Sequence, residues 1–496
     1  MKKLNYETLK EINYNGYLLE DAPVRVLQFG EGNFMRGFVD YFIDMMNEKA
    51  NFNSKVTLVQ PIGQGSFRLS DIINEQQGLY TLYLQGFQDG KEVREKRIIS
   101  CVKNCLNSYE NWDEVLNMAA NKDLRFITCN TTEAGIVYDP TCKFTDAPAE
   151  SYPAKLTQFL YRRFKNQLPG FIILACELID NNGKELEKCV LAHAADWNLG
   201  EEFIAWIKDE NIFCSTLVDR IVTGFPRHEA AKMNEENGYE DNTLDTGEIF
   251  GVWVIEGPQS ICDELPFKEA GLPIIVTDDH KPYKERKVRI LNGAHTSMVL
   301  GAFLAGQDIV RDCMYDETIL NYMNEAIYNE IIPTLSLSEE DCKEFAAAVT
   351  ERFKNPFIDH ELLAISLNST AKWKARVMPS LLGYVEKFGT LPKALTTSLA
   401  SYIAFYRGNE LTKDGLKGVN PTTKKEYTIK DDAAVLEFYA QNQGKSNEEL
   451  VSMVLSNEEF WGQDLTKVDG LEQGVLTALN TIDNEGAMAA MQACLK

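Results

Sequence analysis

The sequence predicts a two-part α/β protein, with a Rossmann-like, doubly wound sheet domain followed by a mostly α-helical domain. Strand-length apolar runs, each entering a glycine-rich or polar turn, recur over roughly the first 220 residues of sheet-forming sequence. From about residue 282 these signals fade and helix-length amphipathic segments take over. The join falls near Thr277-Asp-Asp-His-Lys-Pro282, which predicts a dinucleotide-binding domain over 1–278 and a helical substrate and catalytic domain over 279–496.

The first run, Val24 to Phe29, enters Gly30-Glu-Gly32-Asn33-Phe-Met-Arg36-Gly37 and then the amphipathic stretch FVDYFIDMMNE. That is strand, glycine turn and helix. Glycine lets a backbone approach a pyrophosphate, and the helix start offers free N–H groups to it. Phe29, Gly30, Gly32 and Asn33 are therefore candidate cofactor contacts. The match to G-x-G-x-x-G is incomplete, because Met35 occupies the third position and Gly37 follows two residues later. The next strand, Val56 to Val59, ends in Gln60-Pro61, where an NAD site usually carries an acid for the ribose hydroxyl. NAD and NADP both stay open on that ground.

Arg125 to Cys129 reads as a buried strand leading to Asn130-Thr131-Thr132-Glu133-Ala-Gly135. Asn130, Thr131 and Glu133 are candidate cofactor residues, since open α/β sheets bind ligands at strand carboxyl ends. A helix cap at Thr131 or Thr132 explains the same residues. Gly170 to Cys176 and Cys214 to Asp219 repeat the strand pattern, and Asp219 and Arg220 should point to opposite faces.

In the second half, 316–330, 339–353, 392–406 and 431–441 have helical length and punctuation, and the whole half is expected to be helical. It opens with Lys287-Val-Arg-Ile-Leu-Asn292-Gly-Ala-His295. An amine can exchange a proton with an alcohol oxygen, while Asn and His can donate hydrogen bonds to that oxygen as it gains charge. On an ideal helix Asn292 falls about 140° and His295 about 80° from Lys287, so the lysine bends across that face or Asn292-Gly293 breaks the helix. Further on, Lys372 and Arg376 share a helical face and suit a carboxylate or phosphate, or a salt-bridged surface.

A formal charge of -24 argues against a nucleic-acid partner. The polar start and the lack of a bilayer-length apolar stretch predict no membrane partner and a cytoplasmic location. Eleven scattered cysteines and five histidines form no ribbon, disulfide or zinc spacing, so no metal is expected.

The order of these blocks resembles the mannitol dehydrogenase family of polyol-specific long-chain dehydrogenases. Gln28-Phe-Gly-Glu-Gly-Asn33, Asn130-Thr-Thr-Glu-Ala-Gly-Ile136, Cys176-Glu-Leu-Ile-Asp180, Lys281-Pro-Tyr-Lys-Glu-Arg-Lys287 and the motif ending at His295 carry the resemblance over nearly the whole chain. It implies NAD as cofactor and a small sugar acid as substrate, in a reversible reduction of D-tagaturonate to D-altronate. It also implies Lys287 as acid/base, Asn292 and His295 on the reacting oxygen, and Asp219 and Lys372 near substrate; a carboxylate substrate in turn gives the Lys372 and Arg376 pair a purpose, with one or both expected to hold that carboxylate. Leu178 and Ala364 stand where mannitol-type members carry an asparagine and an arginine, which argues against mannitol. A fructuronate-reducing or mannitol-type enzyme, or an NAD-sensing binding protein, are the other readings, and the oligomeric state is open.

Overall fold

The computed structural model describes residues 1–62, 68–132 and 134–496. Eight strands form the main sheet: β1 (Val24–Phe29), β2 (Lys55–Gln60), β3 (Val102–Asn107), β4 (Phe126–Cys129), β5 (Ile172–Ala175), β6 (Ile212–Asp219), β7 (Val252–Glu256) and β8 (Ile274–Thr277). Their spatial order is β8-β7-β6-β5-β4-β1-β2-β3, and chain order reverses at β1. All neighbours run parallel except β6 and β7. Ligands bind such sheets outside the strand carboxyl ends at this reversal.

Alternation along the strands explains why both faces are covered. Val26, Leu58, Phe126, Ile172 and Leu174 enter one apolar core, while Leu27, Phe29, Val59, Ile127 and Ile173 enter the other. A strand buried on both sides must read as a nearly continuous apolar run, and VRVLQF does. A smaller sheet joins Tyr80–Gln88, Lys91–Ile99 and Asp245–Glu248.

The chain divides into two compact units, Met1–Gln85 with Val93–His280, and Gly86–Glu92 with Lys281–Lys496. The second unit is built around the helix Gly293–Leu304, in which all residues but His295 are buried. Helices Glu317–Asn324, Ser369–Arg376, Lys393–Phe405 and Ala487–Cys494 pack on it. Buried Glu330 accepts from the N–H groups of Ala394 and Leu395, both at 2.8 Å, and so caps helix Lys393–Phe405. Burial, partly offset by those donors, pushes its carboxyl up to about 7.

One expectation fails. The second unit is not wholly helical, because Glu410–Thr412, Gly415–Val419 and Glu426–Ile429 form a three-stranded antiparallel sheet. The Asp414-Gly415 turn, with Gly415 at φ 137°, reverses the chain between the first two strands, and buried Leu416, Tyr427 and Ile429 anchor them.

Arg220 follows β6 and serves the fold. It donates to the carbonyls of Gly37 and Phe250, each at 2.9 Å, and of Ile249 at 3.3 Å, with its guanidinium 4.7 Å from the Tyr41 ring centre. Burial pushes it down to about 10. Arg220→Ala should cost at least about 3 kcal/mol in urea unfolding, because buried carbonyls lose their donors, and Arg220→Lys should restore only part. An alanine variant within about 1 kcal/mol of the parent would contradict this role.

Candidate active site

Helix Asn33–Ala50 follows β1 after the turn at Gly30 and Gly32, and it contains a π-helical stretch, Arg36–Asp40. Gly30 has φ 121°, and a Cβ there would lie 2.9 Å from the Asn130 carbonyl oxygen. Only glycine lets β1 and β4 meet so closely at the sheet reversal. At Gly32 an added Cβ would meet nothing within 4 Å, so the turn leaves open space over its own backbone. Gly37 supplies the close packing that Met35 cannot, since a Cβ on it would lie 3.0 Å from Val222 Cγ1 and 3.3 Å from Asp245 Oδ2. The turn therefore fits a pyrophosphate, with Gly32 and Asn33 exposed beside the space.

Phe29 brings only its backbone to this turn. Its ring is buried, 5.1 Å from Tyr152, and its carbonyl accepts from Asn130 N–H at 3.0 Å. Asn130 Nδ2 donates to the Cys176 carbonyl at 3.2 Å, tying β4 to the end of β5. Thr131 gives both its N–H and hydroxyl to Glu177 Oε1, each at 3.0 Å. Burial raises the Glu177 carboxyl, and those donors pull it back. The alternative of a helix cap at Thr131 or Thr132 is not realised: no helix starts there, and Thr132 has φ 85°. Glu133 lies outside the described residues.

A cavity of about 540 Å³ opens at these strand ends, lined by Phe34, Asn130, Thr132, Ala134, Leu178 and Val218. Phe34 and Val218 carried no signal in the sequence beyond their places after a glycine turn and near a strand end. Leu178 is 66% exposed where it lines this cavity. Asp219 closes β6 and is buried, paired in register with Val252.

In the second unit, Lys287–Asn292 is a π-helix that runs directly into Gly293–Leu304. The Gly293 N–H reaches the Val288 carbonyl, an i→i−5 bond. This corrects the ideal-helix expectation. A π turn advances each residue by about 80°, so Asn292 and His295 both come within about 50° of Lys287 around the axis. Nor does Asn292-Gly293 break the helix. Gly293 is small because a Cβ there would lie 3.3 Å from the Arg376 carbonyl of the crossing helix.

The His295 ring stacks on Phe353 at 4.0 Å and 12°, with the His360 ring edge-on at 5.2 Å and 85°. Its Nε2 is shielded from solvent and has no hydrogen-bond partner among the described residues. Burial first, then the charges of His360, Arg352, Arg376 and Lys372, holds its protonation far below the usual histidine range. It is a neutral imidazole with an unspent polar atom. Lys372 Nζ donates to the Ile365 carbonyl at 2.8 Å and Arg376 to Thr296 Oγ1 at 3.5 Å. Neither makes an ion pair among the described residues, in a chain of net charge -24. His360 and Phe353 had no spacing signal to reveal them.

Glu256, Asp279 and His280 bring three possible metal-ligating atoms within 4.8 Å of one another. Glu256 is already engaged, by Lys184 Nζ and by His280 Nδ1, both at 2.5 Å. Against burial, those partners pull its carboxyl down to about 2.

The chain resembles known proteins in sequence and fold. Residues 24–269 match the Mannitol dehydrogenase Rossmann domain and 279–483 the Mannitol dehydrogenase C-terminal domain. The chain is 46% identical over 495 residues to an altronate oxidoreductase of Escherichia coli, covering 98% of this chain and 99% of that one. An altronate oxidoreductase of Shigella flexneri matches with the same figures, 46% over 98% and 99%. Among solved structures, a D-sorbitol dehydrogenase in substrate-free form superposes with a TM-score of 0.80 at 20% identity, covering 98% of this chain and 100% of that one. Pseudomonas fluorescens mannitol 2-dehydrogenase, in a ternary complex with NAD and D-mannitol, gives 0.67 at 22% identity and 99% of each chain. With both domains matched in order and relatives aligned end to end, the chain belongs to the mannitol dehydrogenase family.

Proposed function

We propose that this protein is an NAD-dependent oxidoreductase that interconverts D-tagaturonate and D-altronate. The observation that carries the reading is the π-helical turn of the second unit that brings Lys287, Asn292 and His295 to one side of a helix axis, with Lys372 and Arg376 making no direct ion pair among the described residues. The end-to-end similarity to altronate oxidoreductases supports the sugar-acid assignment.

Gly30, Gly32 and Asn33, with the backbones of Phe29, Asn130 and Thr131, would hold the dinucleotide, and Glu133 is assigned with them from its position in the sequence. When bound, NAD supplies or accepts the hydride. Arg68, the first cation after β2, is exposed and pairs with Asp71 Oδ2 at 2.5 Å and Glu110 Oε2 at 2.7 Å, a surface pair that a phosphate could displace, so NAD is assigned on the family resemblance.

In the reductive direction the Lys287 ammonium gives a proton to the carbonyl oxygen as that oxygen gains charge. Asn292 Nδ2 and the N–H of His295 donate hydrogen bonds to the same oxygen. A neutral imidazole suits this task because it can donate without competing for the proton. In the oxidative direction the neutral Lys287 amine takes the proton back. This route needs no metal. Lys372 and Arg376 hold the carboxylate, and Asp219 is assigned to the substrate from the family resemblance of its Val-Asp-Arg-Ile block. The eleven cysteines are free thiols, mostly buried, which suits work in the reducing cytoplasm.

Oxidation of NADH and NADPH, each with D-tagaturonate, D-fructuronate and D-fructose, should be fastest with NADH and D-tagaturonate. Preference for D-fructose would favour a mannitol-type activity. Lys287→Ala should lower kcat at least about 100-fold while NADH binding, read by fluorescence, is kept; unchanged turnover would remove the lysine from its role. Arg376→Ala should raise KM for D-tagaturonate about tenfold or more, with D-fructose kinetics unaltered. Equal losses on the two substrates would count against a carboxylate contact.

A further inference from the structure

The backbone around His360 is committed on both sides. Its carbonyl accepts from the Val310 N–H at 3.0 Å, and the Leu362 N–H donates to the Asp308 carbonyl at 2.9 Å. Between them Ile309 and Glu361 form an isolated antiparallel bridge. Arg311 grips the same loop through the Pro356 carbonyl at 2.9 Å and Asp359 Oδ1 at 2.6 Å. Segment 355–361 is thus a fixed mount.

The ring it carries is unspent. Neither nitrogen of His360 has a hydrogen-bond partner among the described residues, yet the imidazole meets His295 edge-on at 5.2 Å. Burial and the charge of Lys372 hold it below the usual histidine range, so Lys372 acts on it electrostatically. A packing residue at this place needs no ring nitrogens. Here two donor or acceptor atoms are delivered by a braced loop toward Lys372 and Arg376, neither of which makes a direct ion pair among the described residues, although Asp431 acts on Lys372 from farther off.

We propose that His360 is a specificity-determining residue which, with Lys372 and Arg376, receives the carboxylate of a sugar acid and so selects acids over neutral polyols and ketoses. This rests on the sugar-acid reading above. Lys372 and Arg376 sit on long side chains and each already gives one donor to the protein, to the Ile365 carbonyl and to Thr296. An imidazole N–H on a braced loop adds a donor whose direction is set in advance, which fixes where a carboxylate oxygen lies.

The test is calorimetric titration of D-altronate, and of the neutral polyol D-altritol, into the enzyme with NADH present so that nothing turns over. His360→Leu keeps the bulk and removes the nitrogens, and should weaken D-altronate at least about tenfold. D-Altritol should bind the variant as it binds the parent, and His360→Gln should recover part of the lost affinity. Thermal unfolding and NADH titration of both variants check that the fold is intact. Unchanged D-altronate affinity in a folded His360→Leu protein overturns the inference, as does an equal loss for acid and polyol, which would mark a merely structural ring. A parent that binds D-altronate through His360 but does not reduce D-tagaturonate would instead sink the proposed activity and leave the inference standing.

Discussion

A neutral imidazole surrounded by positive charge is the constraint on which the second unit turns. His295 is held deprotonated by burial and by His360, Arg352, Arg376 and Lys372. Clustering like charges is unfavourable, and at an effective dielectric near 20 two of them about 4 Å apart repel by roughly 4 kcal/mol. A chain with an excess of 24 negative charges had abundant carboxylates with which to relieve Lys372 and Arg376. Neither makes a direct ion pair among the described residues, a stability cost that an anionic ligand would offset. Neighbours in the same unit show the contrast: Arg311 and Arg407 are paired to Asp359 and Asp483.

The two units contribute different chemistry, and each is organised by a departure from ideal geometry. In the first, Gly30 lets β1 and β4 touch at the sheet reversal, and Gly32 keeps the adjacent space clear. In the second, one wider turn gathers an amine, an amide and an imidazole that an α-helix would have spread around its circumference. π-Helical turns strain the backbone hydrogen-bond pattern, and such turns are frequent at functional sites. A second one, Arg36–Asp40, follows the Gly30 and Gly32 turn and sets Gly37 against Val222.

Much of this was legible in the residues, and what was not has identifiable causes. Strands such as VRVLQF announce themselves because burial on both faces demands continuous apolar sequence, and Glu339–Phe353 is a helix with the bounds its periodicity indicates. The incomplete glycine motif was legible as an irregularity but not as a π turn, because an extra residue in a helical turn depends on packing and leaves no compositional mark. The small sheet at Glu410–Ile429 did carry a signal, the Asp414-Gly415 turn, overshadowed by the helical segments around it. His360 and Phe353 could not be read at all. They reach His295 from a separate helix and loop, and no spacing rule links positions so far apart.

A crystal structure of the enzyme with NADH and D-altronate should show the carboxylate within hydrogen-bond distance of Lys372, Arg376 and His360, and the reacting oxygen, near the opposite end of the sugar acid, on Lys287, Asn292 and His295. A carboxylate bound elsewhere, with those cations facing only solvent or protein, would contradict it.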